Sequence, residues 1–118
     1  MLRVQVERAA DGRIRGFAVR GHAGVGVRGQ DIVCAGVSAL SQTAVLGLQR
    51  RLGVAPEVSA GAGLLVCRLP EGLPPALAER AQDVLETMCL GMAEIAAAYP
   101  AAVGLAEGPL GNAARRGG

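Results

Sequence analysis

The sequence predicts an α+β domain of order ββαββαβ, an antiparallel or mixed sheet with two helices packed on it. Three observations carry this. Apolar and polar residues alternate strictly at the N-terminus, short strand-like runs recur in pairs around turn residues, and two longer stretches repeat apolar residues at helical spacing. At 118 residues the chain has the size of one domain. Hydrophobic residues make up 51 % and charged residues 19 %, the balance of a globular protein and not of a disordered one.

Leu2, Val4 and Val6 alternate with Arg3, Gln5 and Glu7, the period of a half-buried strand. Asp11-Gly12 supplies a hairpin turn, and Arg13 to Arg20 returns as a second strand. Ile14 and Phe17 fall on opposite parities there, which places a bulge at Gly16. Gly21 to Gln30 carries Gly21, Gly24, Gly26 and Gly29 and is expected to be a mobile loop. Asp31 is the candidate N-cap of a helix running to about Arg51 and ended by Gly53, with Val33, Val37, Leu40, Ala44 and Leu48 as its core stripe. Pro56 to Ala60 and Gly63 to Leu69 form a second hairpin joined through Gly61. Pro74-Pro75 opens a second helix whose stripe is Leu77, Ala81, Val84, Met88, Met92 and Ile95, closed by Tyr99-Pro100. Ala102 to Ala106 is a last strand. Residues 1–106 thus form the domain, and 107–118, "EGPLGNAARRGG", read as a disordered tail with nothing to bury.

Composition narrows the function classes. The net charge is only +2, every basic residue is arginine, and Phe17 and Tyr99 are the only aromatics. Neither a nucleic-acid footprint nor a base-stacking surface is expected. No apolar run approaches the length of a membrane span, and the alternating N-terminus reads as a strand and not a signal peptide, so the expected location is the cytoplasm and no membrane partner is expected. Cys34, Cys67 and Cys89 are odd in number and widely spaced, which favours free thiols.

The stretch "GHAGVGVRGQDIVC" holds the only histidine, His22, and Cys34. A thiol at the start of a helix gains thiolate character from the positive end of the macrodipole, and an imidazole within reach could take and return its proton. Amides around Val33 to Ala35 could donate to a developing oxyanion. The residues also admit other roles. Cys34 could be a small buried hydrophobe, as Cys67 and Cys89 more readily are. His22 could be a solvated strand-end residue, and Ser38 could bond back to a helix carbonyl. A Cys₃His metal site is disfavoured because the candidate ligands are separated by 11, 32 and 21 residues. No metal or cofactor is expected.

"GHAG" followed by "GQDIVCAGVSAL" resembles the ribosomal-processing cysteine protease family, Prp, whose hallmark is a GHA…G-DIVCA-VSAL pattern. "MLRVQVER…GRIRGFAVRGHAG" resembles that family's first hairpin, and "LETMCLGMAEIAAAYPAAVGL" its second helix and last strand; the likeness spans residues 1–106. It implies a small cytosolic cysteine protease, usually a homodimer, that removes a short N-terminal extension from a ribosomal large-subunit protein. Cys34 matches the family nucleophile and His22 its general base. Ala23 to Gln30 matches a mobile segment of substrate access. Gly21, Ala23, Gly24, Gly29, Asp31, Ala35 and Ser38 match motif positions with supporting or substrate-binding roles. Val25, Arg28 and Gly36 depart from the usual pattern around an intact dyad. Two other classes compete with a protease: a non-catalytic ribosome-associated factor that keeps the scaffold, and a thiol redox sensor built on Cys34.

Overall fold

A computed structural model describes residues 1–21 and 30–111, with the side chains of residues 30 and 31 outside the description. Five strands and two helices follow one another as β1 (Leu2–Arg8), β2 (Ile14–Arg20), α1 (Gln30–Leu46), β3 (Glu57–Gly61), β4 (Leu64–Arg68), α2 (Pro75–Ala98) and β5 (Val103–Glu107). The strands form one sheet in the order β3-β4-β2-β1-β5. β1 pairs antiparallel with β2, β2 with β4 and β3 with β4, whereas β5 runs parallel to β1, so the sheet is mixed.

The alternation in β1 does what its period requires. Leu2, Val4 and Val6 are buried beneath the helices together with Phe17 and Val19 of β2 and Val103 of β5. Phe17 is fully buried opposite Val6 and is one of the largest side chains in the core. The change of parity in β2 is a bulge. Glu7 faces Gly16 and Arg8 faces Ile14, which leaves Arg15 as the extra residue. Gly16 borders that bulge, and a side chain there would run into the Cys67 carbonyl of β4. The turn before β2 needs a left-handed residue, supplied by Gly12 at φ +90°.

α1 is described from Gln30, so Asp31 lies within the helix and not at its N-cap. The helix also ends differently from its local signals. After Leu46 the chain widens into a π-helical turn, Gly47–Arg51, closed by Leu52 N–H donating to the Gly47 carbonyl. Gly53 then turns left-handed at φ +69°, as a helix-ending glycine does. The wider turn keeps Leu48 fully buried. Ile32–Arg51 is long and apolar enough to cross a membrane by length and composition, against the sequence expectation. Its apolarity has a local cause, because Val33, Val37, Ala44, Val45 and Leu48 belong to the core.

α2 packs beside α1 through small residues. Gly47 of the π-helical turn lies against Val84, and Gly91 accommodates Leu40. Its fully buried stripe is Ala81, Leu85, Met88 and Met92; Leu85, not Val84, occupies the deep position, and Leu77, Val84 and Ile95 flank it half-buried. Arg8 clasps Glu86 with two hydrogen bonds of 2.7 and 3.0 Å and holds Glu107 at 2.8 Å, which ties β1, α2 and β5 together.

The expectation that the chain buries nothing from residue 107 onward is corrected at its start. Glu107 ends β5, and Gly108 N–H donates to the Val6 carbonyl. Leu110 is only 3 % exposed and packs with Ala18, Val66 and Leu64 on the face of the sheet opposite the helices. Ala18 and Val66, at 0 % and 2 % exposure, are buried on that face with Leu110. Residues 112–118 lie outside the described residues.

Candidate active site

A cleft of about 770 Å³ opens between α1, the start of β1, the end of β2, and the β3–β4 hairpin. Helical geometry builds one wall: Cys34, Ser38 and Gln42 recur every fourth residue on one face of α1, with Ser41, Val45 and Leu46 beside them. Leu2, Val19 and Gly21 close its strand end. Val58, Ala60, Gly61 and Gly63 to Leu65 form the opposing wall. The described lining is apolar apart from Cys34, the two serines and Gln42, and it carries no charged side chain.

Among the three cysteines, Cys34 alone lines this cleft, and it is half-buried. Cys67 is 1 % exposed in the core, and burial pushes its thiol up to about 12. Cys89 is half-buried on α2, and its thiol is also pushed up, first by burial and then by the nearby Glu86 carboxylate. Both are therefore poor nucleophiles at neutral pH.

Counted from Gln30, Cys34 is the fifth residue of α1. Helix geometry places the N–H groups of Cys34 and Ala35 in the helical ladder, satisfied by the carbonyls of residues 30 and 31. Ala35 is exposed and does not line the cleft. Ser38 does, one turn below Cys34. Ser41, which the sequence did not single out, is 1 % exposed, and its hydroxyl lies 2.9 Å from the Val37 carbonyl and 3.1 Å from that of Ser38. Such back-bonding satisfies the hydroxyl without a partner from the cleft.

Gly21 adopts φ +102°, and its N–H donates to the Gly63 carbonyl at 2.8 Å, fastening the end of β2 to the β3–β4 turn. A side chain there would strike the Met1 carbonyl. The next residues, His22, Ala23, Gly24 and Gly29, lie outside the described residues, as does the side chain of Asp31. Among the described residues no three His, Cys, Asp or Glu side chains gather as metal ligands. Gln42 had a sequence signal, a polar residue two turns from Cys34 on an apolar helix; the hairpin wall had none.

The fold agrees with comparisons to known proteins. Residues 1–104 match the family model of cysteine protease Prp. The ribosomal processing cysteine protease Prp of Bacillus subtilis (strain 168) is 33 % identical over 101 residues, covering 84 % of this chain and 90 % of that protein. The structure of S. aureus Prp in complex with a substrate peptide superposes with a TM-score of 0.82 at 24 % identity, covering 92 % of this chain and all of that one. The same S. aureus protease with a covalently linked product peptide gives 0.80 at 25 % identity, again over 92 % of this chain and all of that one. SMU.848 from Streptococcus mutans gives 0.75 at 28 % identity, over 91 % of this chain and 93 % of its own. With the family model matched over residues 1–104 and a relative 33 % identical over most of both chains, the chain belongs to the Prp family of cysteine proteases.

Proposed function

We propose that this protein is an endopeptidase that removes a short N-terminal extension from a ribosomal large-subunit protein, with Cys34 as nucleophile and His22 as its general base. The observation that carries the assignment is the placement of Cys34: it is the one cysteine on the wall of this apolar cleft, while burial pushes the thiols of Cys67 and Cys89 up. The names of the B. subtilis relative and the peptide complexes of the S. aureus protease support a peptide substrate of ribosomal origin.

The chemistry follows from a thiol and an imidazole. His22 takes the Cys34 proton, and the thiolate attacks the scissile carbonyl carbon, forming a C–S bond and an oxyanion. As the C–N bond breaks, the imidazolium returns that proton to the leaving amine, whose peptide departs with a new N-terminus. His22 then takes a proton from water, hydroxide equivalent attacks the thioester, and the C–S bond breaks to release the extension as a carboxylic acid and restore Cys34. Gly21, Ala23, Gly24, Gly29, Asp31, Ala35 and Ser38 take supporting or substrate-binding roles in this proposal. No metal or cofactor takes part in these steps.

The protein acts in the cytoplasm as a homodimer in this proposal. Leu90, 70 % exposed, and the exposed Leu105 stand beside the outer edge of β5, which has no strand partner among the described residues, a surface that a second copy would cover. Incubating the chain with the host's own extended ribosomal protein, followed by intact mass, tests the activity. Wild type releases the extension, and Cys34→Ala leaves the substrate intact. Release by Cys34→Ala, or none by wild type, overturns the assignment.

A further inference from the structure

We propose that the C-terminal segment Gly108–Gly111 is a buttress for the substrate cleft, with Leu110 acting as a positioning residue through Leu64. The proposal rests on the assignment of the cleft as the substrate site. The segment lies beyond the family-matched residues, yet it is built into the fold. Gly108 N–H donates to the Val6 carbonyl at 3.0 Å, and Gln5 Nε2 donates to the Pro109 carbonyl at 2.7 Å. Arg68 Nη2 donates to the Gly111 carbonyl at 2.9 Å, and Arg20 Nη2 lies 3.4 Å from that of Leu110.

Leu110 fills a small second cluster with Ala18 and Val66, and Leu64 packs against it. Leu64 also lines the cleft that holds Cys34. It is therefore the side chain shared between the back of the sheet and the substrate wall. Beyond the ladder pairs Arg20–Leu64 and Gly61–Leu64, the strand ends are extended by a further hydrogen bond, Gly21 N–H to the Gly63 carbonyl, and both glycines line the cleft. Arg20, the residue before Gly21, is the one that reaches the Leu110 carbonyl. Glycine at both ends of that bond leaves the backbone little side-chain packing of its own to hold it. The buttress supplies it from behind.

Removing the Leu110 side chain should loosen the strand ends locally and widen the wall that binds substrate. The first test is amide hydrogen exchange in Leu110→Ala, which needs no substrate. Exchange at Gly21 and Leu64 should accelerate about tenfold or more, while Val4 in β1 and Leu85 in α2 keep wild-type protection. Uniform acceleration, or none at those two amides, overturns the proposal. The second test is hydrolysis of a quenched fluorescent peptide spanning the extension junction of the host ribosomal protein, well below the melting temperature. KM should rise several-fold with kcat near wild type, and Leu110→Met should restore KM. A merely structural role would lower the folded fraction and hence apparent kcat, leaving KM unchanged, which also overturns the proposal. Leu110→Val, a milder truncation, carries both measurements if Leu110→Ala does not fold. Wild-type failure to cleave the peptide would count against the proposed activity, while the exchange pattern still decides the buttress.

Discussion

Gln82 brackets Ile14: its Oε1 accepts from the Ile14 N–H at 2.8 Å, and its Nε2 donates to the Ile14 carbonyl at 2.9 Å. A side chain on α2 thus supplies both backbone partners of the residue beside the β2 bulge, where the ladder with β1 is interrupted. Gln82→Leu leaves both groups without a partner in a partly buried place. It is expected to cost about 1–3 kcal/mol in urea unfolding. Gln82→Glu keeps an acceptor for the N–H and loses the donor, so it should fall between the two. A loss below a few tenths would mean that water replaces the bracket freely.

Two glycines separate local propensity from contact. A Cβ on Gly16 would meet the backbone carbonyl of Cys67, which cannot move without disturbing the β2–β4 ladder. A Cβ on Gly91 would lie 2.9 Å from Cδ1 of Leu40, the mobile end of a side chain. Gly16→Ala should therefore destabilise by about 2 kcal/mol or more. Gly91→Ala should come out near neutral, because up to about 1 kcal/mol of helix propensity offsets the shift of Leu40. Denaturant midpoints at constant slope measure both.

How much of this was legible in the sequence depends on whether a residue's fate is set by its neighbours in sequence. The parity of Leu2, Val4 and Val6 needs only a sheet with one covered face, and the structure supplies it. Gly53 ends its helix for reasons internal to its backbone. The π-helical turn before it is different, since Leu48 must stay in a core made by other elements. Leu110 stands alone in a glycine-rich stretch, where no periodicity can announce burial; its partners Ala18 and Val66 come from β2 and β4. At the site, Cys34 and Ser38 were visible as a helical pair, and Gly21 as a strand end. Val58 and Ala60 became cleft residues only because the hairpin lands beside α1.

Stability should depend on pH through Glu86. Its pairing with Arg8 holds the carboxyl below the usual range, while Arg8 itself is pushed further up and stays charged throughout. The sign follows: the depressed carboxylate stabilises the fold above its unfolded pKa near 4.3, and the contribution is lost as pH falls through the lower folded value. Both side chains remain partly exposed, so the effect is only about 1 kcal/mol or less. Glu86→Gln should flatten the pH dependence of the melting temperature below about pH 4.5. An unchanged slope would assign the acid limb to other carboxylates.

The proposed dimer makes a prediction of its own. Leu90 is 70 % exposed and touches the crevice between α2 and β5, so Leu90→Glu should leave the fold intact. Charge placed on each copy beside the β5 edge should convert a dimer to a monomer in light scattering at micromolar concentration. A Leu90→Glu protein that remains dimeric would move the interface elsewhere.

Thiol reactivity distinguishes the proposed nucleophile from its companions. Cys67, fully buried with its thiol pushed up to about 12, should resist iodoacetamide at pH 7.5 until the protein unfolds. Cys89 should react slowly for the same reason, with Glu86 adding to it. Cys34 lines the cleft and should take the label first, as peptide mapping will report. If the proposed dyad holds, His22→Ala should slow that labelling near neutral pH and shift its pH dependence upward. The same substitution should reduce peptide hydrolysis by about 10²- to 10⁴-fold, with KM little changed. Cys34 labelling at the wild-type rate in His22→Ala, together with undiminished hydrolysis, would remove His22 from the mechanism and require another base at the cleft.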